Sequence, residues 1–117
     1  MLLEDRIVKF AAQRVKTCAM IPVKLVGSAN FADQMFRSAT SVAANYAEAC
    51  EAESSKDFVH KLKIAMKELS ETRVWLKLIG ESGYIENAKL SDLIAESKEL
   101  SRILSASVAT TKKKIGG

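Results

Sequence analysis

Between Phe58 and Ile79 the chain alternates steps of four and three through Phe58, Leu62, Ala65, Leu69, Thr72, Leu76 and Ile79. An α-helix turns about 100° per residue, so this alternation puts all seven on one face, an a/d seam held over three heptads. A half-buried strand would show period two instead. A seam of this length must be covered by other helices, which constrains the chain to helix-on-helix packing. The pattern predicts a helix over about residues 55–81, roughly 40 Å long at about 1.5 Å per residue. Ser54 with Asp57 three residues on gives it a capping-box-like start, and Gly83 gives it a stop.

The flanking sequence divides in the same way. A first helix over about 2–20 carries Leu3, Ile7, Phe10, Ala11, Val15 and Cys18 roughly on one side, and Pro22 ends it. Asn30 with Asp33 resembles a capping box opening a second helix to about residue 51. Its apolar stripe is Phe31, Met35, Ala39, Val42, Ala43, Tyr46 and Cys50. A fourth helix, about 88–112, follows a cap at Asn87 and repeats the alternation at Leu90, Leu93, Ser97, Leu100, Leu104 and Ser107. Ile94, Ile103 and Val108 widen that stripe. The expectation is an all-α single domain over residues 1–117, an antiparallel up-down four-helix bundle. A three-helix bundle with a detached first helix is its competitor. One Pro, five Gly and 6% aromatics argue against a sheet-and-turn design.

The formal net charge of +4 is mild for an obligate nucleic-acid binder. It is unevenly spread: residues 1–26 are net +3, 27–53 net −3, and the two later stretches net +2 each. That pattern favours attraction between neighbouring helices rather than one continuous basic face. Cys18 and Cys50 lie far apart in helical patterns and read as small buried thiols of a reducing compartment. With the single His60 they form no recognised metal-ligand spacing, so no metal or cofactor is expected. Charges at Glu4, Asp5 and Arg6 interrupt any signal-peptide core, and no apolar run approaches a membrane span. A cytoplasmic protein without a membrane partner is expected.

Three surfaces stand out. Ser38 to Ala47 is an uncharged run dominated by Ala, Ser and Thr, flanked by Arg37 and Glu48. A helix with no charged outer side invites close approach by another backbone. Arg37, Ser41, Asn45 and Glu48 form one column on it, either a contact with another subunit or an internal polar network that fixes register. On the third helix, Lys56, His60, Lys63 and Lys67 form a basic column opposite the seam. Such a stripe could meet phosphates, with Lys112, Lys113 and Lys114 in the tail as a further basic group, or it is a solvated face. The second half of that helix adds Val74, Trp75 and Leu78 outside the seam, more apolar surface than a monomeric bundle covers. Packing against a neighbouring subunit is expected there, with a Trp edge on the first helix of the same chain as the alternative. A catalytic role for Glu48 finds no second carboxylate, His or nucleophile in its column.

The segment RSATSVAANYAEA followed by SSKDFVHKLKIAMKELSETRVWLKLI resembles the four-helix-bundle proteins of the 23S rRNA intervening-sequence family. The residues that carry the likeness are Arg37, Ser38, Ser41, Val42, Asn45, Ala47, Glu48, Asp57 and Phe58, then Glu71, Thr72, Trp75 and Leu76. Ala49–Cys50 departs from it, where many members continue with Gly. The resemblance implies an up-down bundle that assembles as a ring-like homopentamer. It also implies kinship with the accessory variability determinants that partner retroelement reverse transcriptases. It supplies no catalytic residues. The expected task is thus a non-enzymatic oligomeric adaptor for RNA, DNA or a nucleic-acid enzyme such as a reverse transcriptase. A protein-only scaffold is the alternative.

Overall fold

A computed structural model describes residues 2–22 and 26–116. Four helices account for almost all of them: α1 (Leu3–Ala19), α2 (Ser28–Cys50), α3 (Ser55–Glu81) and α4 (Asn87–Gly116). They pack in chain order, α1 on α2, α2 on α3 and α3 on α4, as an up-down bundle with extents of 53 × 23 × 22 Å. α1 and α4 touch least, so the bundle is loose along that seam.

The predicted starts and stops of α3 are those observed. The Ser54 hydroxyl accepts the Asp57 N–H at 3.0 Å, satisfying one of the four free donors of the first turn. Ser54→Ala is expected to cost about 0.5–2 kcal/mol, read as a lower urea midpoint. At the other end Gly83 takes φ +77°. Its N–H reaches Gly80 O at 3.1 Å while Tyr84 N–H reaches Ile79 O at 3.2 Å, the paired bonds of a Schellman stop. A residue with a Cβ would be strained at that φ.

Elsewhere the expectations need correction. Asn30 and Asp33 do not open α2; the helix starts at Ser28 behind Gly27, which sits at φ +81° with no side-chain cap. The Tyr84 hydroxyl donates to Val26 O, tying this turn to the far connection. Asn87 is the first residue of α4 rather than a residue before it, and α4 runs on to Gly116.

The buried faces of α1 and α2 keep a helical spacing that admits polar residues. On α1 the buried residues are Ile7, Phe10, Ala11, Arg14 and Thr17, so Val15, expected inside, is 38% exposed. On α2, Ala49 is buried and Cys50 is exposed, which overturns the reading of Cys50 as a buried thiol. Cys18 is partly buried, its thiol donating to Ala32 O at 3.4 Å.

The core falls into two apolar clusters. One holds Ile7, Phe10, Val42, Leu62, Leu69, Leu100 and Leu104. The other holds Ile21, Met35, Leu76, Ile79, Ile85 and Leu90, with Phe31, Trp75 and Tyr84 packed on it in T-shaped ring contacts. Between the clusters each helix contributes a fully buried polar side chain: Arg14, Ser38, Thr72 and Ser97. Thr72 Oγ1 donates to Glu68 O at 2.8 Å and lies 2.9 Å from Ser38 Oγ, linking α2 to α3. Ser97 Oγ donates to Ile94 O at 2.7 Å and accepts from Arg73 Nη1 at 3.4 Å, linking α4 to α3. A polar layer thus crosses the middle of the bundle.

Candidate functional site

The basic column forms on the outer side of α3 because its members sit opposite the seam. Lys56, His60, Lys63 and Lys67 are all exposed. Up-down topology returns the end of α4 to the start of α3, which brings the tail lysines to the same end of the bundle. Lys112 lies near Lys63, and repulsion between the two ammonium charges holds Lys63 below the usual lysine range. Lys113 and Lys114 follow on the last turn and are exposed. Two elements far apart in sequence therefore meet as one cationic cluster. Periodicity alone does not reveal their meeting, since it depends on which helix ends adjoin.

The Arg37–Glu48 column faces α3 of its own chain. Arg37 donates to Glu68 at 3.0 Å and pairs also with Glu71. Lys61 Nζ lies 3.4 Å from Glu48. Asn45 Nδ2 donates to Ser41 Oγ at 3.0 Å and to Ser41 O at 2.9 Å. These pairs are largely exposed, and such surface pairs contribute about 0–1 kcal/mol each. Arg37 and Glu48 thus pair across to α3, while Asn45 bonds within α2.

The apolar half of α3 splits in two. Trp75 is half-buried within the chain, 5.4 Å from the Phe31 ring, and its indole N–H donates to Glu71 at 3.4 Å. Its ring meets Phe31 of α2 in its own chain. Val74 and Leu78 continue the outer stripe beyond Lys67 and remain 53% and 43% exposed. A second exposed apolar surface is not among those the sequence singles out: Val8 and Val15 on α1, with Phe36 on α2 half exposed. Ala44 and Ala47 are exposed on the same α2 helix, where the uncharged run lacks a solvent face.

Among the described residues no group of three or more His, Cys, Asp or Glu is placed to hold a metal ion. No helix among them is long and apolar enough to cross a membrane.

The chain matches the family described as 23S rRNA-intervening sequence protein over residues 6–106, a span that takes in α2 and α3 whole. Among solved structures it is similar to a protein with unknown function from the S23 ribosomal protein family of Bacteroides thetaiotaomicron. The two share 31% identity over 92% of this chain and 98% of that one, with a TM-score of 0.82. No match is found among curated proteins. With the four-helix architecture, this coverage decides the classification: the chain belongs to the 23S rRNA-intervening sequence protein family.

Proposed function

We propose that this protein is a non-enzymatic homo-oligomeric adaptor, a ring of five by family resemblance, that docks nucleic acid on the basic end built by α3 and α4. The meeting of the α4 tail with the start of α3, where Lys114 shares a groove with Ser54, Ser55 and Phe58 and Lys112 lies near Lys63, carries this reading. A polyanion bound across these lysines offsets their mutual repulsion, and releasing counterions from it adds to binding. A nucleic-acid enzyme such as a reverse transcriptase would then be brought to the same ring through its bound strand. The exposed Val74 and Leu78 support a second reading, a scaffold that contacts proteins alone.

Electrophoretic binding to a structured RNA across a salt series separates the two. On the first reading affinity falls steeply with salt. Lys63→Glu with Lys112→Glu then weakens binding and flattens the salt slope by about one for each phosphate left without its lysine. Absent or salt-insensitive binding at low salt overturns it. A single protein partner captured regardless of nuclease treatment then favours the scaffold.

A further inference from the structure

Arg73 reaches from α3 toward α4, and its guanidinium meets hydroxyls there rather than a carboxylate. Nη1 donates to Ser97 Oγ at 3.4 Å and to Ser101 Oγ at 3.3 Å, while Nη2 donates to Ser70 Oγ at 3.4 Å. The carboxylates nearby on both helices are engaged elsewhere: Glu68 and Glu71 by Arg37, Glu96 by Arg6 and Glu99 by Arg102. None of the ion pairs among the described residues includes Arg73. Its positive charge is thus held in place with no carboxylate at ion-pair distance.

The three hydroxyls are not alike. Ser97 is buried and gives its proton to Ile94 O at 2.7 Å. Ser70 is exposed and Ser101 half-buried, and among the described residues each accepts from Arg73 and donates to no group. A hydroxyl has one proton to give, so both keep theirs for an incoming acceptor. Arg73 Nε–H also lacks an acceptor among the described residues, and Nη2 has a second proton. Those are the two nitrogens with which Arg6 grips Glu96. The bonds Arg73 does make are longer than the usual ~2.9–3.0 Å, so a charged acceptor competes with them readily. Lys77, one turn along α3, and Lys98, one turn back on antiparallel α4, are both exposed and flank the group. The result is a set of donors without an acceptor of its own, open to solvent at Ser70.

We propose that Arg73, Ser70 and Ser101 bind a phosphate group, one that belongs to the backbone of the nucleic acid docked at Lys63 and Lys112; for its ligand this site rests on that reading. Lys63 lies ten residues before Arg73 on α3, about 15 Å at 1.5 Å per residue, with exposed Lys67 between them. A strand that leaves the basic end along the α3–α4 face therefore passes Arg73. The planar fork of a guanidinium pairs two N–H groups with two phosphate oxygens, and the two hydroxyls add donors beside it. Such contacts position a strand without reading its bases.

The test is electrophoretic binding of the full chain to a structured RNA across a salt series, comparing Arg73→Gln with Ser70→Ala combined with Ser101→Ala. Arg102→Gln is the control, an equal loss of charge at a guanidinium already held by Glu99. Arg73→Gln is expected to lower the slope of log affinity against log salt by about one, and to do so on unrelated RNA sequences alike. The double serine variant is expected to weaken binding at an unchanged slope, since it removes no charge. Arg102→Gln is expected to bind as the wild type does. RNA binding that depends on Lys63 and Lys112 yet keeps its full slope in Arg73→Gln overturns this site and leaves docking at the basic end standing. Equal losses in Arg73→Gln and Arg102→Gln also overturn it, because net charge then accounts for both. A wild type that binds no RNA at low salt overturns both proposals together. Should Arg73→Gln not fold, the Arg73 Nε–H resonance of the wild type decides. Titrated inorganic phosphate moves it to a plateau if the site exists, and moves it no further than that of Arg102 if it does not.

Discussion

Truncating Leu69 to Ala lowers the unfolding free energy by about 2–5 kcal/mol, and truncating Leu76 does the same. Both side chains are wholly buried on the α3 seam, one in each apolar cluster, with Thr72 between them. Removing three buried carbons loses their transfer free energy and leaves a cavity that long, well-anchored helices collapse into poorly. Against a typical total of about 5–15 kcal/mol, either change is a large fraction of the fold's stability. The measurement is a urea titration, in which the midpoint falls while the slope holds. Because α2, α3 and α4 each run through both clusters, neither half can melt alone, and each variant is expected to unfold in one transition. Two transitions, or a loss under about 1 kcal/mol, would contradict this account of the core.

The α3 seam is legible in the sequence because nearly every position on it is apolar and both ends carry turn chemistry. Where sequence and structure part, the cause is a preference for apolar residues over spacing. Apolar character and nearness to the stripe point Val15 and Cys50 inward. The helices instead turn Arg14 and Ala49 to their inner faces. The signal for Arg14 is present in the sequence as the series Ile7, Phe10, Arg14, Thr17 and Ile21. A fully buried arginine is costly enough to be set aside without a structure that shows its place. The basic stripe can be read on α3, but its union with Lys112 depends on tertiary topology. Family resemblance identifies the bundle from its motif residues, and it does not say that the Arg37 column pairs within its own chain.

Phe36→Glu or Val74→Glu reduces the mass in solution to that of one 12.8 kDa chain, and mixing the two variants restores a dimer. Both positions are exposed apolar residues close to the polar layer, Phe36 shortly before Ser38 and Val74 shortly after Thr72. They lie on different helices, and Val74 belongs to the outer stripe of α3 whereas Phe36 neighbours α1 and the uncharged α2 face. These are two exposed apolar surfaces of the chain, and we propose that a ring closes by setting the one bearing Val74 and Leu78 against the one bearing Val15 and Phe36 of the next copy. Such a head-to-tail contact uses two unlike patches, unlike a two-fold dimer, where one patch meets itself. A Glu buried in either patch carries a desolvation cost that the contact cannot offset, so each variant alone loses every junction. In the mixture, each Phe36→Glu chain keeps an intact Val74 patch and each Val74→Glu chain keeps an intact Phe36 patch. One junction per pair therefore forms, and growth stops at two chains. Light scattering coupled to size exclusion reads all three states. A mixture that stays monomeric, or single variants that retain the full mass, would move the junction away from these patches.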